Sequence, residues 1–173
     1  MKKIMFLLVV ALLLVPSLGS AYWADSYQDH QYYVVFDEEG EAAVLATITM
    51  QNYDDIENLV LEIPGESFRI IGIVQQYYVY EDDEYWAYDT EYDDVDYTIE
   101  ELSDSIRLDL TLPQPSEEQI TLLVYYKSES YVEKKGTVYS FDFETASSEY
   151  DISNVNVYID VVDDLYLKEG SSE

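Results

Sequence analysis

The sequence predicts an all-β protein, an antiparallel β-sandwich of immunoglobulin-like or jelly-roll-like type with about eight or nine strands. Three observations lead to this class. Several segments alternate apolar and polar residues with a period of two, which is typical of strands that bury one face. Short turn sequences separate these segments. No stretch sustains the apolar spacing of an amphipathic helix, so nothing indicates a parallel sheet with helical crossovers.

The N terminus follows the pattern of a secretory signal peptide. Lys2 and Lys3 precede an uncharged apolar run over residues 4–15, and small residues follow it up to Ala21. As a helix this run would span about 18 Å, which is less than the roughly 30 Å of a bilayer core. The pattern therefore predicts export, with cleavage after Ala21 and with Ala24 as the alternative site.

The remaining length gives the domain organisation. Once the signal peptide at residues 1–21 is removed, residues 22–167 suffice for one sandwich domain, and residues 168–173 form a polar C-terminal tail. The chain contains no cysteine, so its core must be stable without disulfides. A cysteine-free exported domain indicates a prokaryotic protein, bacterial or archaeal.

The individual strands follow from their alternation, taken in chain order. Residues 31–36 and 42–51 form the first pair, because residues 37–40 between them have the composition of a hairpin loop. The side chains predicted to face the core are Val44, Ala46, Ile48 and Met50; Leu59, Leu61 and Ile63; Ile106, Leu108, Leu110 and Leu112; Ile120, Leu122, Val124 and Tyr126; Tyr139, Phe141 and Phe143; and Val155, Val157, Ile159 and Val161.

Turn sequences mark the connections between the strands. Pro64 and Gly65 form a turn dipeptide, residues 113–116 end the preceding strand, and residues 134–136 predict another hairpin turn. Only residues 116–119 and 98–102 have a composition that suits a single helical turn.

The charge of the chain excludes two classes of partner. The 37 acidic and 8 basic residues give a formal net charge of −29. Such a field repels phosphate groups, so we expect no nucleic-acid binding and no direct binding to anionic membranes. The charge favours solubility and cationic partners, and it is also typical of proteins adapted to high salt.

The most distinctive segment runs from Glu81 to Asp94 and reads EDDEYWAYDTEYDD, with eight carboxylates and four aromatic rings. It is predicted to be a loop at one end of the sandwich. Its simplest interpretation is a solvated connection whose charges repel neighbouring chains. Two functional interpretations stand beside this one.

The first functional interpretation is a calcium site, because Ca²⁺ takes six to eight oxygen ligands. The candidate metal ligands are Asp82, Asp83, Glu84, Asp89, Asp93 and Asp94. The second is a partner-binding tip, because tyrosine and tryptophan are enriched in interface hot spots. The candidate partner-binding residues are Tyr85, Trp86, Tyr88 and Tyr92. The segment lacks the residue spacing of an EF-hand, so it would be a calcium site of another kind. No other cofactor is expected.

Catalytic chemistry finds little support in the sequence. His30 is the only histidine, it lies near the predicted mature N terminus, and no nucleophile motif accompanies it. A zinc site would need cysteine or several histidines. We therefore expect a protein that is not an enzyme and has no catalytic residues.

These observations predict a non-enzymatic interaction domain that is secreted or held at the cell surface, or is the ectodomain of a larger prokaryotic envelope protein. Its expected partner is a protein at the cell surface, or a second copy. The alternative is a subunit of an extracellular filament or surface array, assembled by strand addition with residues 24–36 as the donated strand. A secreted hydrolase is the remote alternative.

Overall fold

A computed structural model describes residues 27–37, 40–51, 56–80, 88–113, 119–135 and 138–161 of the 173. Within these ranges all regular secondary structure is β-strand, so the all-β class is confirmed. These ranges also contain no helix with the length and apolar character to cross a membrane. The predicted signal peptide and polar tail lie outside the described residues.

Twelve strands occur in the described ranges. They are β1 (Tyr27–Phe36), β2 (Ala42–Gln51), β3 (Asn58–Pro64), β4 (Phe68–Tyr80), β5 (Tyr88–Asp94), β6 (Asp96–Glu101), β7 (Ser105–Thr111), β8 (Gln119–Ser128), β9 (Val132–Lys135), β10 (Val138–Phe141), β11 (Ser147–Ser148) and β12 (Ile152–Val161). The sequence indicated fewer, because β5 and β6 read as a loop and a helical turn, and because β9 and β11 are too short to show a clear alternation.

The strands form a sandwich. One sheet has six strands in the order β12-β1-β2-β8-β4-β5, and the other has four in the order β11-β3-β7-β6. A separate hairpin pairs β9 with β10. All neighbouring strands are antiparallel except β1 and β12, which pair in parallel. The sheet order could not be derived from the alternation alone.

The core lies between the two sheets and follows the predicted alternation closely. The predicted inward residues of β2, β3, β7 and β8 are buried, and β1 adds Tyr32, Val34 and Phe36 to them. Phe141 and Phe143 are partly buried, and the Phe141 ring stacks on Phe36 with ring centroids 4.0 Å apart. Each fully buried aliphatic side chain contributes roughly 1.5–3 kcal/mol. The core therefore needs no disulfide.

The predicted turns after β1 and after β3 are confirmed, whereas Lys134 and Lys135 belong to β9 and residue 136 lies outside the described residues. β1 and β2 form the expected hairpin, and the Gly40 N–H donates to the Asp37 carbonyl oxygen over 3.3 Å. Gly65 follows β3 with a φ of 114°, and a Cβ there would lie 2.5 Å from Ser130 Oγ. Both the backbone angle and the close approach therefore require glycine at residue 65.

Three local predictions were wrong. Residues 98–102 form no helical turn, because residues 98–101 belong to β6, which pairs with β7. Val155, Val157 and Ile159 are not buried but 46%, 39% and 46% exposed, because β12 is the edge strand of its sheet. Residues 27–36 are not free for donation, because β1 is paired on both sides within its own sheet.

Candidate functional site

The outward side of the six-stranded sheet carries a row of exposed apolar side chains. Strand register places Tyr158, Tyr33, Leu45 and Tyr125 side by side across β12, β1, β2 and β8, and we call these four residues the aromatic face. Their exposed fractions range from 37% to 51%. With strands about 4.8 Å apart, the row is about 14 Å long.

The aromatic face arises from the strand alternation itself. In β1 the even-numbered residues point into the core and the odd-numbered residues point outward. A sheet in contact with water on one side normally carries polar residues there. Here Tyr33, Leu45 and Tyr125 occupy outward positions, flanked by the exposed Val35.

The opposite side of the sandwich shows the usual pattern. Register places polar residues on the outward side of the four-stranded sheet, namely Asn58, Thr111 and Asp96, and then Glu62, Arg107 and Glu100. On the four-stranded sheet the exposed apolar residues Tyr97 and Ile99 lie instead on the core side of the edge strand β6. A row of exposed apolar residues on an outward sheet face, such as the aromatic face, is a candidate interaction surface.

Tyr33 and Tyr158 form a preorganised part of this surface. Their rings are stacked, with centroids 4.9 Å apart and planes inclined by 13°. Both side chains are about half exposed, at 47% and 51%. Because stacking restricts both rings, a partner that covers them has less side-chain freedom to remove.

Charged groups surround the aromatic face. Asp29, Asp94 and Asp160 lie on the same outward side, as their register partners show. At one end Glu41 accepts hydrogen bonds from both Arg69 and Lys127. This contact raises the pKa of Lys127, mainly through its hydrogen bond to the carboxylate. Both described cations near the face thus share one carboxylate, that of Glu41.

The first half of the predicted binding segment, residues 81–87, lies outside the described residues. This applies to Asp82, Asp83, Glu84, Tyr85 and Trp86. The remaining predicted site residues, Tyr88, Asp89, Tyr92, Asp93 and Asp94, belong to β5. The second half of the segment is therefore an edge strand and not the loop that its composition suggested.

The strand geometry of β5 separates two of the predicted calcium ligands. Asp93 pairs with Gln75, which is buried on the core side, whereas Asp94 pairs with Val74 on the outward side. Consecutive strand residues point to opposite faces, so these two carboxylates do not converge. Among the described residues no group of three or more histidine or carboxylate side chains could hold a metal ion.

The predicted partner residue Tyr92 is 55% exposed and lies on the outward side, like the aromatic face. It occupies the opposite edge strand of the same sheet. Tyr77, one strand inward, donates a hydrogen bond of 2.8 Å to Glu91 Oε2. That carboxylate raises the pKa of Tyr77 to about 12.

The only histidine lies in a buried polar cluster that the sequence did not reveal. His30 is 0% exposed, with Nδ1 2.9 Å from Tyr32 Oη and Nε2 2.9 Å from Gln28 Oε1. Tyr32 Oη also accepts the Ala146 N–H over 3.0 Å. These contacts fit one neutral tautomer, in which Nε2–H donates to Gln28 and Nδ1 accepts from Tyr32.

The burial and the contacts of His30 indicate a structural role for this cluster. Burial lowers the pKa of His30 to about 4, and the Asp29 carboxylate opposes this change only in part. Asp29 lies on the outward side, where its Oδ1 accepts a hydrogen bond of 2.7 Å from Asn154. Neighbouring strand residues face opposite ways, so Asp29 does not orient the imidazole. His30 thus lies inside the paired strand β1, and its position near the predicted mature N terminus did not reveal that it is buried.

No protein-family model and no curated protein sequence matches the chain. Among solved structures it is similar to an M1 zinc metallopeptidase from Deinococcus radiodurans, at 14% identity and a TM-score of 0.41, over 65% of this chain and 22% of that one. It is also similar to a non-cellulosomal cohesin from the archaeon Archaeoglobus fulgidus, at 7% identity and a TM-score of 0.38, over 79% and 91% of the two chains. The chain thus spans about a fifth of the peptidase, and at these scores neither likeness assigns a function.

Proposed function

We propose that the chain is an exported, non-enzymatic interaction domain that binds a protein partner through the aromatic face. The observation that carries this proposal is the row of Tyr158, Tyr33, Leu45 and Tyr125 on the outward side of the sheet. Tyrosines of this kind act as hot spots, because they bury a large area and keep a polar tip for hydrogen bonding.

The surroundings of the face specify the partner's chemistry. Asp29, Asp94 and Asp160 frame the row, while Arg69 and Lys127 are engaged by Glu41. A complementary surface has an apolar centre with lysine or arginine at its rim. Export and a location at the cell surface remain part of the proposal and depend on the predicted signal peptide. Nothing in the described residues favours the hydrolase alternative.

A capture experiment tests the proposal. The protein from residue 22 onwards is immobilised, a partner is isolated from envelope proteins of the source organism at physiological salt, and its affinity is measured in solution. The double variant Tyr33→Ser, Tyr125→Ser should weaken binding by roughly thirtyfold, as expected for loss of a hot spot worth about 2 kcal/mol.

Tyr92→Ser is the matched control, since Tyr92 is more exposed than Tyr33 and Tyr125 but lies at the far edge of the sheet. It should leave the affinity within about twofold of the unaltered protein. The reverse result, with loss at Tyr92 and none at Tyr33 and Tyr125, would reject the aromatic face and support the segment from Glu81 to Asp94 instead.

A further inference from the structure

The edge strand β12 differs from the other long edge strands of the sandwich, β5 and β6. At the far edge of the same sheet, β5 has four carboxylates in seven residues, and β6 has three in six. β12 has one carboxylate in ten residues and no lysine, arginine or proline. Charges and prolines on edge strands normally prevent a further strand from pairing, so β12 is the long edge that lacks this protection.

Apolar side chains of β12 lie on the core side of the six-stranded sheet, but the second sheet does not cover them. Val155, Val157 and Ile159 are in register with His30, Tyr32 and Val34, which all point into the sandwich. The three β12 residues therefore lie on the core side of the sheet and yet are 39% to 46% exposed. Within the described ranges β12 pairs only with β1, so its other edge offers backbone hydrogen-bonding groups next to an apolar stripe.

We propose that β12 pairs with β12 of a second copy in an antiparallel manner, centred on Val157, to form a symmetric dimer. In this register Val157 faces its own counterpart, Val155 faces Ile159, and Asn154 faces Asp160. Every apolar residue of the stripe meets another apolar residue. Within β12 no carboxylate lies opposite a carboxylate, so the destabilising effect of opposed like charges is avoided. The sequence of β12 is thus complementary to itself about a twofold axis, as an isologous interface requires.

The geometry limits assembly to two copies. The twofold axis runs perpendicular to the sheet, so the two six-stranded sheets become one continuous sheet with both outward sides on the same face. The remaining edge of each sheet is β5, whose four carboxylates oppose pairing with an equally acidic strand. The dimer also brings Tyr158 of both copies next to the axis, so that the two aromatic faces adjoin.

The net charge of −29 opposes this association and gives it a distinctive salt dependence. Sedimentation velocity of the protein from residue 22 onwards should show a monomer–dimer equilibrium. Its dissociation constant should fall by about tenfold or more between about 0.1 M and 1 M NaCl, because the Debye length shortens from about 10 Å to 3 Å. A monomer at every salt concentration, up to about 200 µM protein, would overturn the proposal.

Substitutions at the axis test the interface. Val157→Glu places two carboxylates opposite each other and should abolish the dimer, whereas Val157→Thr keeps a β-branched residue and should retain it. Circular dichroism and a cooperative unfolding transition confirm that the Glu variant is folded. Tyr125→Ser impairs the aromatic face and should leave dimerisation intact, which separates this inference from the proposed partner binding.

Cysteine cross-linking tests the register, since the chain has no cysteine of its own. Val157→Cys should form an intermolecular disulfide, because opposed residues have Cβ atoms about 5 Å apart. Val155→Cys alone and Ile159→Cys alone should not, since like residues would be about 13 Å apart, but an equal mixture of the two should. Any other pattern, or a monomer that binds an extended basic peptide along β12, would reject the paired second copy.

Discussion

At the scale of single residues, His30 makes the stability of the domain depend on pH. Burial lowers the pKa of its imidazole from 6.5 to about 4 in the folded protein. Between these values the unfolded chain binds more protons, so the stability from the neutral imidazole is complete above about pH 6.5 and is lost as the pH falls toward 4. We expect the loss to reach up to about 3 kcal/mol.

Urea unfolding of the unaltered protein and of His30→Leu, at about pH 7 and pH 4.5, measures this effect. Many carboxylates titrate in the same window, but both proteins contain them, so the difference between the two proteins isolates the imidazole. The unaltered protein should exceed His30→Leu in free energy of unfolding by a smaller margin at about pH 4.5 than at about pH 7. An advantage of equal size at both pH values would contradict the assignment.

Substitutions of Tyr32 and Tyr33 form a matched pair that tests the buried polar cluster. The Tyr32 hydroxyl accepts from Ala146 N–H and contacts His30 Nδ1, so Tyr32→Phe leaves buried groups without partners and should cost about 1–3 kcal/mol. Tyr33→Phe removes a hydroxyl from an exposed ring and should change the free energy of unfolding by less than about 0.5 kcal/mol. Equal effects of the two substitutions in chemical denaturation would argue against the cluster.

At the scale of elements, the turn between β3 and β4 depends on Gly65. Gly65→Ala meets both the φ of 114° and Ser130 Oγ at 2.5 Å, so we expect a loss of about 1–3 kcal/mol. Gly72→Ala is the control, because a Cβ there meets no atom within 4 Å. In thermal unfolding, Gly65→Ala should have a clearly lower melting temperature than Gly72→Ala. The reverse order would exclude strain at residue 65.

The central strands could be predicted from the sequence because their environment is uniform. β2, β7 and β8 each have neighbours on both sides and a sheet facing them, so the period of two reports burial directly. The hairpin of β1 and β2 and the turn at Gly65 could also be predicted, since local residues determine them.

The edge strands could not be predicted in the same way. β12 shows the apolar alternation of a buried strand, but its burial depends on whether a second sheet reaches over it. β5 and β6 read as a loop and a helical turn, because their many carboxylates are unusual in strands. Pairing with β4 and β7 outweighs that propensity.

The candidate site was hidden for a related reason. The alternation of β1, β2 and β8 places Tyr33, Leu45 and Tyr125 at outward positions, where polar residues are usual. These three residues were therefore detectable in the sequence as exceptions to the alternation. The stack of Tyr33 on Tyr158 depends on the parallel pairing of β1 with β12. That pairing joins opposite ends of the domain, and residue spacing does not report it.

At the scale of the whole molecule, unbalanced negative charge limits stability. All four cationic side chains that the structure describes, Arg69, Arg107, Lys127 and Lys135, are already paired with carboxylates. The excess acidic residues therefore meet one another across the surface with little local compensation. Such self-repulsion destabilises a compact state and weakens when salt screens it.

We expect the melting temperature to rise by several degrees between about 0.05 M and 1 M NaCl, equivalent to about 1–3 kcal/mol for a domain of this size. Calcium provides the second arm of the experiment, because it tests the three predicted calcium ligands that lie outside the described residues, Asp82, Asp83 and Glu84. If these residues bind Ca²⁺, about 1 mM CaCl₂ should raise the melting temperature more than NaCl of equal ionic strength, and EDTA should reverse the gain. Equal effects of the two salts would reject the calcium site, and a melting temperature that does not change with NaCl would reject the role of self-repulsion.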